Sequence, residues 1–211
     1  MSAKLVWATP KGEELIGYMA RVSNPDAQLG EDASKLIRYL IKHKHWSPFE
    51  MVSVCLELET TRDVSRQILR HRSFHFQEFS GRYAAYQELH TVREVRMQDA
   101  ENRQNSLESS DESLALWWND AIKDVSAHAG ALYSEALERG VAKEVARSVL
   151  PEGLVPTRMY MVGTLRDWIH YFAVRCGPET QKEHRTLARE MRSIIMSQFP
   201  NVEKALEEAG V

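Results

Sequence analysis

Between residues 51 and 60 the apolar side chains Val52, Val54, Leu56 and Leu58 alternate with Ser53, Cys55, Glu57 and Glu59. A period of two is that of a β-strand with one buried face, so the chain must build a sheet. Most of the remaining pattern is helical. Leu15, Ile16, Met19 and Ala20 recur at helical spacing over residues 11–22, where Ser23-Asn24-Pro25 stops them, and Leu36, Ile37, Leu40 and Ile41 do the same over 32–43. Over residues 114–137, Leu114, Trp118, Ala121, Val125, Ala129, Leu132 and Ala136 step by three and four, which predicts a long amphipathic helix stopped by Gly140. Trp117 and Trp118 are expected in the core or at a subunit interface. Residues 4–8 and 158–163 read as strands, 92–95 as an edge strand, and the polar, aperiodic stretch 101–113 as a surface loop. Residues 143–150 form a short helix ended by Pro151. Thr164-Leu165-Arg166-Asp167 has the form of a capping box and opens a helix to about Cys176. Gly177-Pro178 ends it. A last long helix is expected from Pro178, burying Leu187, Met191, Ile194 and Ile195, and a short one over 202–208.

A chain of 211 residues can bury a core of its own in one domain. Its net charge of −3 argues against a generic nucleic-acid binder, so local basicity points to a defined anionic ligand. Cys55 and Cys176 are too few for a disulfide framework and lack metal-ligand spacing, which predicts a reducing compartment and no metal site. Residues 1–10 show no signal-peptide pattern, and no run approaches about 18 apolar residues. The expectation is a soluble, cytoplasmic protein with no membrane attachment.

The chemistry concentrates in residues 70–83, Arg70-His71-Arg72-Ser73-Phe74-His75-Phe76-Gln77-Glu78-Phe79-Ser80-Gly81-Arg82-Tyr83. No hydrophobic core asks for that mixture. Guanidinium forks suit phosphates, aromatic rings offer faces to a flavin or a base, and Ser80-Gly81 lets backbone N–H groups approach an anion. The stretch reads as a site for a phosphorylated, planar ligand. Arg70 to Arg72 taken alone would fit a solvated surface face as readily. Just before it, Val64 and Ile68 recur at i+4 over residues 62–70, and Arg62, Arg66 and Arg70 fall on one helical stripe. Their mutual repulsion is tolerable in water or against bound anions. The helix is expected to end near Arg72, with 73–80 an ordered loop.

The order Arg70-His71-Arg72, seven residues, Ser80, with Glu78 two before the serine and Arg82-Tyr83 two after it, resembles the signature of flavin-dependent thymidylate synthases. The resemblance continues through Ser47-Pro48-Phe49-Glu50, Arg147-Ser148-Val149-Leu150-Pro151, and Thr164, Leu165, Arg166 and His170. It implies an α+β fold, a central, mostly antiparallel sheet with helices packed around it, in a single domain over residues 1–211 assembled as a homotetramer with active sites built from several chains. It implies FAD held by Ser53, Arg70, His71, Arg72, Glu78, Thr164, Leu165, Arg166 and His170. It implies dUMP held by Gln67, Ile68, Leu69, Arg70, Glu78, Phe79, Ser80, Gly81, Arg82, Arg147 and Arg175, with NADPH and 5,10-methylenetetrahydrofolate as co-substrates. Arg175 would be catalytic, polarising the pyrimidine. The chain departs from many members at Met51, His75 and Gln77, and from some at Glu179.

Arg166 and Arg175 stand half a turn apart on an ideal helix and should serve different ligands or subunits. A thiolate mechanism is not expected: Cys55 lies among acidic neighbours and Cys176 at a helix C-terminus, both of which disfavour the thiolate. Ser80 lacks a base partner, so it would bind rather than attack. Two other readings use part of the same set: a flavin oxidoreductase without methyl transfer, and a non-catalytic RNA-binding module, which leaves Glu78 without a role.

Overall fold

The computed structural model describes residues 1–30, 32–87 and 93–210. In chain order the elements are β1 (Ser2–Ala8), α1 (Gly12–Ala20), α2 (Ser34–Lys42), β2 (Ser53–Thr61), α3 (Arg62–Ile68), β3 (His75–Glu78), β4 (Arg96–Gln98), β5 (Ser106–Glu108), α4 (Glu112–Glu138), α5 (Lys143–Ala146), β6 (Pro156–Thr164), α6 (Leu165–Arg175), α7 (Lys182–Met196) and α8 (Pro200–Ala209), with short 3₁₀ turns between them. The class is α+β. Four strands form a sheet in the order β1-β2-β6-β3. Backbone bonds from Thr9 N–H to the Ser53 carbonyl, Leu165 N–H to Val52 and Arg62 N–H to Val155 set the end of one strand against the start of the next, the antiparallel arrangement. Among the described residues no helix is long and apolar enough to cross a membrane.

The chain divides into two compact units, the first comprising Met1, residues 59–70 and 78–159, the second residues 2–58, 71–77 and 160–211. In the second unit Val54, Leu56 and Leu58 of β2 are fully buried, as their alternation requires, while Cys55 on the opposite face is buried too. The sheet is therefore covered on both sides there. Trp168 of α6, fully buried, donates its indole N–H to the Val54 carbonyl at 3.2 Å. Each such large side chain contributes about 1.5–3 kcal/mol by burial. Helix α1 buries Gly12, Ile16 and Gly17, whereas Met19 is exposed. A Cβ on Gly17 would lie 2.6 Å from that of Ala33, so this helix packs by backbone proximity, which a search for large apolar residues misses. Helix α7 starts at Lys182 rather than at Pro178, and buries His184, Leu187, Ala188, Met191, Ile195 and Met196.

The capping box at the start of α6 is present. Asp167 N–H donates to Thr164 Oγ1 at 3.3 Å, and the Asp167 carboxylate accepts from Thr164 N–H at 2.9 Å and from its hydroxyl at 2.6 Å. Replacing Thr164 with alanine should lower stability by about 1 kcal/mol, read as a lower urea midpoint at unchanged slope.

In the first unit, α4 is capped by Asp111, whose side chain accepts from Leu114 N–H at 3.0 Å, and is followed by Gly140 at a φ of 83°. Its buried residues are Ser126, Ala129 and Tyr133; Leu116, Trp117, Val125 and Leu132 are exposed, and Trp118 is 37% exposed. The two tryptophans are thus not core residues. Among the described residues of this unit, α4 packs against the short α5, the turn at 147–149, Tyr86 and Val155. The edge strand lies at Arg96–Gln98 rather than 92–95, of which Val92 is outside the described residues, and the expected loop contains β5, paired antiparallel with Met97 opposite Leu107. Strands this short carry no detectable period. Their ladder holds them instead.

Candidate active site

The turn at Ser80 is assembled in the first unit from local bonds. Ser80 Oγ accepts from Arg82 N–H at 3.4 Å, the Ser80 carbonyl from Tyr83 N–H at 3.0 Å, and Phe79 N–H reaches the Arg158 carbonyl at 2.9 Å. Glu78 enters this turn from β3, which replaces most of the loop expected over 73–80, because the segment finds a ladder partner in β6. One oxygen of Glu78 accepts from Ser65 Oγ and from Thr157 Oγ1, both at 2.9 Å, with Arg62 Nη1 at 4.0 Å. The carboxylate thereby anchors the segment before any ligand arrives. Gly81 is buried, and a Cβ there would meet Tyr86 ring atoms at 2.5 and 2.8 Å. Its small size serves Tyr86, which receives a 3.1 Å bond from Arg62 and packs 5.3 Å from Phe79. Gly81→Ala should therefore cost roughly 1–3 kcal/mol through overpacking, measured as a lower thermal midpoint.

The helical arginine stripe does not form as expected. Helix α3 ends at Ile68, so Arg70 lies beyond it; Arg62 faces Glu78, and Arg66 pairs with Glu152. Carboxylates relieve the repulsion that anions or water were expected to relieve. Arg82 Nε lies 3.4 Å from Glu144, and Lys143 donates to the Tyr83 carbonyl at 3.1 Å, which ties the turn to α5. Arg147 opens the 3₁₀ turn that follows α5, in place of the expected longer helix over 143–150. The guanidiniums of Arg147 and Arg70 have no ion-pair or hydrogen-bond partner among the described residues. Gln67 is half-buried, Leu69 exposed, and Ile68 fully buried, so Ile68 packs beneath this surface rather than on it. Beside Phe79 and Tyr86 opens a cavity of about 770 Å³ that also touches Thr61, Thr157 and Arg158, room enough for a nucleotide.

In the second unit the functional candidates gather along α6. Thr164 is its cap, and Leu165 is fully buried. Arg166 pairs with Glu50, and the His170 ring meets Trp46 edge-on at 5.3 Å. Ser53 is tied through its backbone to Thr9, with N–H to Thr9 Oγ1 at 2.9 Å. Arg72 is exposed, without an ion-pair or hydrogen-bond partner among the described residues. Arg175 is the last residue of α6, and its Nε donates to His71 Nε2 at 2.8 Å. Arg166 and Arg175 have separate partners within the chain. The His71 ring rests 4.7 Å from that of Tyr171, whose hydroxyl shares a 2.7 Å hydrogen bond with His184 Nε2. Burial first, and then the charge of Arg175, lowers the pKa of His71 below the usual histidine range; burial, with Arg175 and His71, brings His184 to about 3.

Both cysteines are poor nucleophiles. Burial pushes the Cys55 thiol up, a cause different from the acidic neighbours invoked above; burial also raises Cys176, with Glu203 adding to it and Arg192 and Arg189 opposing. Several contributors escape sequence reasoning. Glu50, Trp46, Ser65, Thr157, Glu144, Tyr171 and His184 support candidate residues through contacts between distant segments, and Tyr86 supports Phe79 and Gly81 from a few positions on. Only Glu50 carries a local signal, standing in the Ser-Pro-Phe-Glu step.

A "Probable flavin-dependent thymidylate synthase" of Paramecium bursaria Chlorella virus 1 is 48% identical over 98% of this chain and 99% of its own, and a "Flavin-dependent thymidylate synthase" of Synechocystis is 53% identical over 92% and 89%. The fold matches a crystal structure of a Streptomyces cacaoi UMP/dUMP methylase, PolB, bound with 5-Br dUMP, at a TM-score of 0.87 and 22% identity over 98% of this chain and 94% of that one. A family model described as "Thymidylate synthase complementing protein" matches residues 4–201, and the chain belongs to that family.

Proposed function

We propose that this chain is a flavin-dependent thymidylate synthase: it reductively methylates dUMP to dTMP, with 5,10-methylenetetrahydrofolate as one-carbon donor, NADPH as reductant and FAD as cofactor. It works in the cytoplasm as a homotetramer with active sites assembled from several chains, and residues 1–211 act as one functional domain. The observation that carries this reading is the supply of uncommitted cations. The guanidiniums of Arg70, Arg72 and Arg147 have no ion-pair or hydrogen-bond partner among the described residues, and that of Arg82 meets an exposed carboxylate, Glu144, and the Tyr83 ring. Guanidiniums left without protein anions suit phosphate-bearing ligands. The names borne by the relatives, at 48 and 53% identity, support the same ligands.

In this reading Arg82, Arg147 and the Ser80 hydroxyl hold the dUMP phosphate, while Gln67, Arg70 and the anchored Glu78 segment, from Phe79 through Gly81, line the nucleotide. Arg175 stabilises negative charge developing on the N3/O4 edge of the uracil. The donor set fits FAD: Arg70, Arg72 and Arg166 suit its diphosphate, with His170, Ser53 and the Thr164–Leu165 backbone around it, while the His71 imidazole is engaged by Arg175. When bound, the flavin supplies the redox chemistry. Neither raised thiol offers the thiolate that a cysteine route needs.

The test is the visible spectrum of the purified protein, followed by addition of NADPH without air, with and without dUMP. Flavin bands that bleach faster with dUMP support the synthase. Bleaching indifferent to dUMP favours a plain flavin oxidoreductase, and a protein that neither carries nor takes up flavin favours the RNA-binding reading.

A further inference from the structure

We infer that His71 is the positioning residue of Arg175: a neutral imidazole accepts the arginine Nε–H and fixes the direction in which the guanidinium fork is offered. The inference rests on the proposed role of Arg175 and adds how that arginine is held. Arg175 is the last residue of its helix and half-buried, with a long side chain to be held. Holding such a side chain in one rotamer costs entropy, and a defined bond must offset it. The 2.8 Å bond to His71 uses the inner donor, Nε, and leaves the four Nη–H donors for a planar acceptor edge.

The identity of the partner matters. A carboxylate at this position would cancel the charge that a developing anion needs; a neutral imidazole accepts the bond and leaves that charge in place. The acceptor role puts the His71 proton on Nδ1. The groups facing this imidazole are Arg175 and Tyr171 from α6, His184 from α7 and Phe74 from its own segment, whose ring stands edge-on at 6.4 Å. Tyr171, 1% exposed, and His184, 0% exposed, lock together at 2.7 Å and give the His71 ring a rigid wall. The second member of the Arg70-His71-Arg72 triplet therefore acts on the protein's own arginine.

Five proteins decide it: the wild type, His71→Ala, Arg175→Ala, the double variant and His71→Gln. Calorimetry gives dUMP affinity for each flavin-loaded protein, and dTMP formation gives kcat. His71→Ala should lose roughly 10- to 100-fold in kcat, the scale of a misplaced catalytic group, while retaining flavin. His71→Gln, whose Oε1 can stand near the former Nε2, should recover most of that loss and show a flatter acid limb in its pH–rate profile. The effect of His71→Ala on dUMP affinity should vanish once Arg175 is already alanine. Independent, multiplying effects would overturn the inference, as would a glutamine variant no better than alanine, or loss of flavin from both His71 variants with retention in Arg175→Ala. A wild type that makes no dTMP would instead overturn the functional reading beneath it.

Discussion

Replacing Arg175 with alanine will lower dTMP formation by about 100- to 1000-fold while the protein stays folded and keeps its flavin. The magnitude is that of removing one preorganised donor from developing negative charge. Folding should survive because Arg175 is half-buried at the end of α6, whose core contacts come from Leu165, Trp168, Ile169, Tyr171 and Phe172. The variant also carries a spectroscopic signature. Burial lowers the His71 pKa and the Arg175 charge adds to the effect, so removing that charge should let the His71 pKa rise, followed by NMR titration of the ring. Turnover within a few-fold of wild type would remove Arg175 from the mechanism.

The second large effect is on stability. His184 is fully buried and titrates at about 3, held down by burial, by Arg175 and by His71. In the unfolded chain its pKa returns to about 6.5. A base depressed by folding contributes stability that is fully present above the unfolded pKa and is lost as pH falls from about 6.5 toward the folded value. In that window the unfolded state binds the extra proton, and the slope approaches about 1.4 kcal/mol per pH unit. Urea midpoints at pH 7, 6, 5 and 4 should fall accordingly, and His184→Gln, which can still bond the Tyr171 hydroxyl, should flatten the curve. Asp63 acts at lower pH. Burial raises its carboxyl, but the hydrogen bonds from Arg93 and Thr61 and the charge of Arg93 outweigh that and leave it below the usual range. Its contribution is lost only as pH falls through that depressed value. Equal slopes for wild type and His184→Gln between pH 6.5 and 4 would contradict this assignment.

Legibility followed the range of the interaction. The β2 strand, the α6 capping box and the end of α4 before Gly140 rest on local rules, and all three are where the pattern puts them. Helix α1 was legible in extent but not in its buried face, since glycine packing leaves no apolar stripe. Strands β4 and β5 exist through their pairing, and three residues are too few to reveal a period. The cationic residues of the site were visible because guanidiniums are conspicuous and the signature spacing is strict. Their partners were not. Glu144 sits 62 positions from Arg82, as the 3.4 Å pair between them requires the fold to reveal, and the same holds for His71 and Arg175, which are 104 residues apart. The exposed Trp117 marks the opposite case, a conspicuous residue whose side chain the fold of this chain does not bury.

The central claim is methyl transfer to dUMP, and product formation tests it most directly. Flavin-loaded protein is incubated with dUMP, 5,10-methylenetetrahydrofolate and NADPH, and the nucleotides are separated by chromatography. The account predicts dTMP, formed only when all three substrates and the flavin are present. Flavin-loaded, folded protein that oxidises NADPH and leaves dUMP unmethylated would contradict it.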